Sequence, residues 1–405
     1  MTPLAKGISS LGILMAIIIT GFVFAMRGCL SKYDERMALP PSLYFKNDSN
    51  AVFLSLVKYS KTTSYSRSGG FVQKTVDDYY YLQNNEAVSG NKIAGKKLAS
   101  RIKYFPAKIL GADGRNAWIF LNELMAFDAF TLQQVADVKI IEAKNPSLSG
   151  LMPAEAQYYR FDETVKAIVF TSSEGAQWQL NASTLIAKPY RKPLKEDATN
   201  FEERLALQLQ DRLKQLSQLS LHFTQLKVNQ DTCIGKWLGL YSAEEIETLN
   251  TAITFSPASQ QEQRRQFYTA GYDAGSSGSN KLNKPFSPAN KAGAFYLDGG
   301  FLADKESARA IRMSDPLGFL LVYKTKIGEK GEIMLARIGA DGTPGWKINT
   351  GLKNWIDYQY KDNRLFIFGN DHKNLNSSYC TLFLSVDLRT GLVNKYDYFE
   401  DALRK

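Results

Sequence analysis

Histidine is nearly missing from this chain: His222 and His372 are the only two in 405 residues. Neither has the His or Cys spacing of a zinc site. Cysteine is almost as scarce, with Cys29, Cys233 and Cys380 far apart in the sequence. That excludes a disulfide-dense scaffold. No Gly-x-Ser-x-Gly elbow, phosphate loop or dinucleotide fingerprint occurs, so the common hydrolase and nucleotide-binding chemistries have no sequence signal. The net charge is +10, yet there is no block of several consecutive Lys or Arg. Lys92, Lys96 and Lys97 form the nearest cluster, without an aromatic stacking platform beside it. Nucleic acid is therefore not the favoured partner, while a basic surface for other polyanions stays open.

Long apolar runs are also few. One stands out, Gly7 to Met26, nearly free of charge and bounded by Lys6 and Arg27. Its length matches the roughly 20 residues of a membrane-crossing helix, and it lacks the polar face of a surface helix. The reading is an uncleaved signal anchor in residues 1–31, helix about 7–26, with the membrane as partner. A cleaved signal peptide is the alternative. Met26-Arg27-Gly28-Cys29 distantly resembles a lipoprotein cleavage box, with Arg27 where a small residue is expected. Lys and Arg counts favour a cytoplasmic C-terminal side, whereas a long following domain translocates largely regardless of charge. The expectation is export.

What the chain does have is β signal. At 44% hydrophobic and 12% aromatic it can bury a large core. Runs of β-formers span Ala51–Tyr59, Phe71–Leu82, Ala117–Leu121, Ala167–Thr171, Leu317–Lys324 and Met334–Ile338. The Tyr79-Tyr80-Tyr81 triplet reads as strand with both faces covered. Between runs, one turn recurs: apolar, Asp or Asn, two residues, Thr. It appears at Asp128 (Phe127 to Leu132), at Asn181 (Leu180 to Leu185) and at Asp387 (Val386 to Gly391). Asp387 can cap its turn through the carboxylate, and Gly391 can take a positive φ. A second signature is Asp-Gly followed by Trp at equal spacing: Asp113-Gly114 with Trp118, and Asp341-Gly342 with Trp346. Asp-Gly favours a hairpin turn. Repeated strand–turn–strand units suggest radial β repetition.

Val386-Asp387-Leu388-Arg389-Thr390-Gly391 resembles the apolar-Asp-x-x-Thr-Gly turn of pyrroloquinoline-quinone-like (PQQ-like) β-propeller repeats. Gly345-Trp346-Lys347-Ile348-Asn349-Thr350-Gly351 is similar to the tryptophan-bearing strand of those repeats. The resemblance covers about a third of the chain, and Leu132 and Leu185 stand where the repeat has Gly. It implies a propeller of the cell envelope. Quinone-dependent members often add adjacent cysteines and a calcium site; this chain has no adjacent cysteines, so no cofactor is expected.

A different pattern interrupts the β signal. Phe201, Leu205, Leu209, Leu213, Leu216, Leu219, Phe223 and Leu226 step by three or four, an amphipathic helix stripe that includes His222. Thr199-Asn200-Phe201-Glu202 reads as its capping box. Further helices are expected from Ser242 and from Ser256-Pro257, the last ending near Gly271. Gly275 to Lys291 reads as a flexible Gly/Ser loop. Asp273-Ala274-Gly275 and Asp298-Gly299-Gly300 are acidic turns that could take a hard cation, but turn-making alone explains them.

The expected protein is mainly β, an irregular β-propeller with a helical insertion, preceded by one N-terminal transmembrane helix. Its expected parts are the anchor 1–31, a linker 32–41, propeller part 42–195, helical insertion 196–274, loop 275–293 and propeller part 294–405. The expected function is non-catalytic binding or scaffolding in the bacterial envelope, with another envelope protein as partner. A hydrolase or quinone-linked oxidoreductase, and a polyanion-binding surface, are the alternatives. In an oxidising compartment Cys233 and Cys380 could pair.

Overall fold

The computed structural model describes residues 35–398 apart from 69–70, 103–106, 191–220, 230–231, 244–245, 248–263, 276–279, 289–294, 306–309, 315–316, 327, 329–330, 340–342 and 372–378. The apolar run 7–26 lies outside the described residues. Among the described residues no helix is long and apolar enough to cross a membrane.

Antiparallel sheets dominate. The chain divides into two compact units, one formed by Met1–Tyr190, Ser377–Phe383 and Lys395–Lys405, the other by Arg191–Asn376 and Leu384–Asn394. In the first unit, three four-stranded meanders follow one another. The first holds β1 (Glu35–Lys46), β2 (Ala51–Ser68), β3 (Phe71–Glu86) and β4 (Lys92–Ile102). The second holds β5 (Ala107–Asp113), β6 (Asn116–Leu121), β7 (Glu123–Asp128) and β8 (Gln134–Ala136). The third holds β9 (Tyr159–Asp162), β10 (Ala167–Thr171), β11 (Gln177–Asn181) and β12 (Ala187–Pro189). One short helix, α1 (Val138–Lys144), links the last two sheets, with Asp137 accepting from the amide of Ile140 at its N-terminus.

The three sheets stack face to face, and β6 shows why. Side chains of a strand alternate between its two faces. Ala117, Ile119 and Leu121 join a core with Leu54, Leu56 and Leu82 of the first sheet. Trp118 and Phe120 join a second core with Ile168, Phe170 and Leu180 of the third. A strand covered on both sides has no polar alternation to read, which is why this run is continuously apolar.

The C-terminal segment is tied to the first sheet. Ala38 and Cys380 exchange backbone hydrogen bonds of 2.8 and 2.9 Å. Tyr398 is fully desolvated, which pushes its phenol pKa up, and its hydroxyl meets Ser55 Oγ at 3.2 Å, which in turn lies 2.7 Å from Ser42 Oγ. Gln83 donates to Asn85 at 3.0 Å and to the Tyr396 hydroxyl at 3.1 Å. Buried polar groups need such partners, and here their pairing fixes where the chain's end docks.

The second unit corrects the sequence reading most. The range expected as helical insertion contains β13 (Leu221–Asn229), β14 (Thr232–Tyr241) and β15 (Arg264–Gly275). Leu221 to Leu226, read as the end of an apolar helix stripe, pairs instead with Gly235 to Gly239. His222 is thus on a strand. The third expected helix is strand from Arg264 on, paired with β14 from Gln266 to Gly275. A three- or four-residue apolar spacing over so short a run does not separate helix from strand; cross-strand pairing decides. Helical turns survive at Ala243 and Ile246–Glu247, with Ile246 N donating to Ser242 O at 3.1 Å. Residues 191–220, with most of the stripe, lie outside the described residues. The expected flexible loop is corrected too: β16 (Asn280–Pro288) pairs with β15. So is the linker 32–41, because β1 begins at Glu35 and runs through Pro40 and Pro41.

The unit continues with β17 (Tyr296–Phe301), β18 (Arg312–Ser314), β19 (Leu317–Lys324), β20 (Ile333–Gly339) and β21 (Pro344–Asn349). With β13 to β16 these form one nine-stranded sheet. A last four-stranded sheet has the order β22 (Asn354–Lys361), β23 (Arg364–Asn370), β24 (Leu382–Asp387), β25 (Val393–Asp397).

Candidate functional site

Three of the residues singled out in the sequence, Asp128, Asn181 and Asp387, build the same piece of geometry. At Asp128, Oδ1 accepts from the Phe130 amide (3.0 Å), the Thr131 amide (2.8 Å) and the Thr131 hydroxyl (3.0 Å). Asn181 Oδ1 accepts from the Ser183 amide (3.1 Å), the Thr184 amide (2.8 Å) and the Thr184 hydroxyl (3.0 Å). Asp387 Oδ1 accepts from the Arg389 amide (3.1 Å), the Thr390 amide (2.9 Å) and the Thr390 hydroxyl (2.9 Å). In each turn the threonine hydroxyl takes a second bond, from the amide of Gln133, Ile186 or Leu392. The fifth position has positive φ in all three: Leu132 at 58°, Leu185 at 62° and Gly391 at 77°. The spacing exists because one side-chain oxygen must reach two amides and one hydroxyl at once.

Charge supports these turns without being essential to them. Burial raises the Asp128 pKa, but the Thr131 amide and hydroxyl, the Phe130 amide and Arg115 outweigh it, and the net shift is downward. Arg115 lies 3.0 Å from the carboxylate. At Asp387 burial again raises the pKa and is outweighed by the Thr390 amide and hydroxyl, Arg364 and the Arg389 amide. Arg364 lies 3.1 Å away. Asn181 builds the same turn with no charge.

Asp113 plays another part. It ends β5 before Gly114, whose φ is 56°, and accepts from Ser183 Oγ at 2.7 Å, joining the turns of the second and third sheets. Asp341 lies outside the described residues. Asp298 pairs with Lys324 at 3.0 Å, and Asp273 lies within β15 rather than in a turn. His372 lies outside the described residues. Cys380 is buried; the side chain of Cys233, its expected partner, lies outside the described residues. Among the described residues no three His, Cys, Asp or Glu side chains gather to hold one metal ion.

Sequence reasoning missed a ribbon made by the outer halves of β2 and β3. The expected runs Ala51–Tyr59 and Phe71–Leu82 leave a gap between them, but β2 pairs with β3 as far as Ser68 opposite Phe71. From Ala51 to Ser60, β2 lies between β1 and β3. Beyond Ser60 it pairs with β3 alone, since β1 begins opposite Ser60 and β4 ends opposite Asp78. The change is visible in burial: Val52 to Val57 are buried, whereas Lys61, Thr63, Ser64, Tyr65, Ser66, Arg67 and Lys74 are exposed. Tyr65 is 69% exposed. The readable signal was the loss of apolar residues after Tyr59.

The base of the ribbon is firmly held. Lys58 pairs with Asp78 at 3.1 Å, and Ser60 donates to Asp78 at 2.7 Å. Burial, and then the charge of Asp78, push the Tyr80 pKa up to about 12. Tyr59 and Tyr81 rings lie 4.6 Å apart, and the Arg36 guanidinium sits over Tyr59 at 4.3 Å. At the edge, Lys96 lies over Phe127 and Lys97 over Tyr79, each at 5.2 Å. The tyrosine triplet is therefore structural at Tyr80, which belongs to the core.

No protein-family model matches the chain. No curated protein matches it either. Among solved structures it is similar to BamB from Moraxella catarrhalis, at 11% identity over 84% of this chain and 95% of that one, with a TM-score of 0.21. It is also similar to a tryptophan-to-alanine mutant of Synechocystis apocarotenoid oxygenase, at 8% identity over 89% of this chain and 62% of that one, again with a TM-score of 0.21. Similarity at this level carries no argument about function.

Proposed function

We propose that this chain is a non-catalytic binding or scaffold protein of the bacterial cell envelope, presenting a propeller-like β domain from a membrane anchor at residues 7–26. The observation that carries the reading is the use made of the recurring Asp and Asn side chains. Asp128, Asn181 and Asp387 each spend one oxygen on the same three turn donors. Polar residues that could have served chemistry instead build repeats, and repeated blades offer broad faces for partners. The resemblance of Val386 to Gly391 to PQQ-like repeats, and the apolar run ahead of the domain, support the envelope setting.

In this reading the protein is single-pass in the inner membrane, with its C-terminal domain in the periplasm and another envelope protein as partner. A reporter fused after Lys405 should be active only outside the cytoplasm, and the protein should resist carbonate extraction. Gentle detergent extraction should co-purify a membrane partner. A reporter active only in the cytoplasm, or complete release by carbonate, would overturn the reading. Export would also permit the Cys233–Cys380 bond, which thiol counts on denatured protein before and after reduction would reveal.

A further inference from the structure

We propose that the β2–β3 ribbon is a membrane-facing arm that takes anionic lipid headgroups. This rests on the anchor reading above and adds a second, lipid-specific contact to it.

Register makes the first argument. Glu35, the first residue of β1, pairs with Ser60, the residue at which the ribbon leaves the sheet. The chain arriving from residues 7–26 therefore enters the domain beside the ribbon's root. Ile102, at the end of β4, pairs with Asp78 at the same end of the sheet. Eight residues of sequence, 27–34, separate the apolar run from β1, and fully extended they reach at most about 28 Å. The ribbon from Lys61 to Ser68 rises about 3.3 Å per residue, roughly 25 Å in all. An arm rooted where the tether ends, with a length close to the tether's fully extended reach, is long enough to meet the surface in which the tether would be anchored.

Charge makes the second. Residues 51–108 carry ten Lys and Arg against three Asp and Glu, a net of +7 out of the chain's +10. Within 62–76 the charged residues are Arg67 and Lys74, both cationic. Both are exposed. Tyr65 pairs directly with Lys74, and directly paired residues share a face of the ribbon. Arg67 lies two residues further along β2, on that same face. A tyrosine beside two cations suits an interface where the ring meets the headgroup level and the cations meet phosphate.

The test uses the full chain reconstituted in two kinds of vesicle: phosphatidylcholine alone, and phosphatidylcholine with phosphatidylglycerol. Flotation with the neutral vesicles reports the anchor. Amide hydrogen exchange in peptides covering 61–77 reports the arm. We expect ribbon exchange to slow in phosphatidylglycerol vesicles relative to neutral ones, with exchange at β6 unchanged. In Arg67→Glu/Lys74→Glu the protection should vanish. At about 1 kcal/mol per basic residue near an anionic surface, removing the two cations alone weakens the contact about 30-fold, and the two added carboxylates weaken it further. Equal ribbon exchange in both vesicles overturns the arm, whether or not the protein floats. Protection that survives the double substitution overturns the role of these two cations. Failure to float with neutral vesicles overturns the anchor reading instead, and with it the geometric half of the argument.

Discussion

Trp118 and Trp346 follow their Asp-Gly pairs at the same spacing, yet they meet different surroundings. Trp118 is fully buried between the second and third sheets of the first unit, and its indole N–H has no hydrogen-bond partner among the described residues. Trp346 is half-exposed on β21 and donates to the Leu388 carbonyl at 3.0 Å. The first tryptophan fills a core; the second braces a turn. That difference explains why only the last of the three repeat turns has glycine at its left-handed position. A Cβ on Gly391 would lie 2.8 Å from Trp346 Cγ, whereas Leu132 and Leu185 point into cores that welcome them. A repeated sequence signature thus gives the same turn but not the same neighbour.

Truncating the two tryptophans should separate their roles most clearly. Trp118→Ala should cost about 3–5 kcal/mol, the range for a large aromatic lost from a close-packed interior. Trp346→Ala should cost less, about 1–2 kcal/mol, for one hydrogen bond and partial burial. Chemical denaturation of the two variants measures both. Equal losses would break the distinction.

Gly391→Leu sharpens it from the other side. The side chain would be forced into Trp346 at a position of positive φ, and overpacking of this kind costs about 1–3 kcal/mol. In a Trp346→Ala background most of that loss should disappear, leaving the smaller backbone term. A double-mutant cycle reads the coupling. Additive losses would mean that Trp346 does not dictate the glycine.

The smallest effect concerns charge. Asp128→Ala should cost about 1 kcal/mol by leaving the turn amides unbonded. Asp128→Asn should be nearly neutral at pH 7, because Asn181 already makes the same bonds without charge. The two should part on acidification. The Asp128 pKa is lower in the folded state than in the unfolded chain. Its ionised form therefore adds stability above the unfolded value of about 3.9. That stability is lost as pH falls through the folded value. Denaturation curves between pH 7 and pH 2 should show a shallower acid slope for Asp128→Asn than for the parent. An unchanged slope would show that the downward shift has no consequence for folding.

The strands that were legible in advance share one property. Ala167–Thr171 and Leu317–Lys324 coincide with β10 and β19 because each is a short, continuous run of β-formers with buried neighbours on either side. The repeat turns were legible because their chemistry is local: one side-chain oxygen and donors two and three residues away. The helical insertion was misread where the pattern was ambiguous, since Phe223 and Leu226 fit a helix stripe and a strand equally well until β14 pairs with them. The ribbon was not legible because the polar run Ser60 to Gly70 also fits a loop.

By itself, then, the sequence determined the β class, the identity and geometry of the Asp and Asn turns, and the unusual apolar run ahead of the domain. Those are properties of short windows, where hydrogen-bond reach and side-chain type suffice. Only the tertiary structure decided that β6 faces two cores, that Tyr396 and Tyr398 dock on the first sheet, and that β1 begins beside the root of a projecting arm. Each of these joins residues far apart in the chain. Such pairings depend on which surfaces are left to be buried and which polar groups remain to be satisfied once the local units have formed.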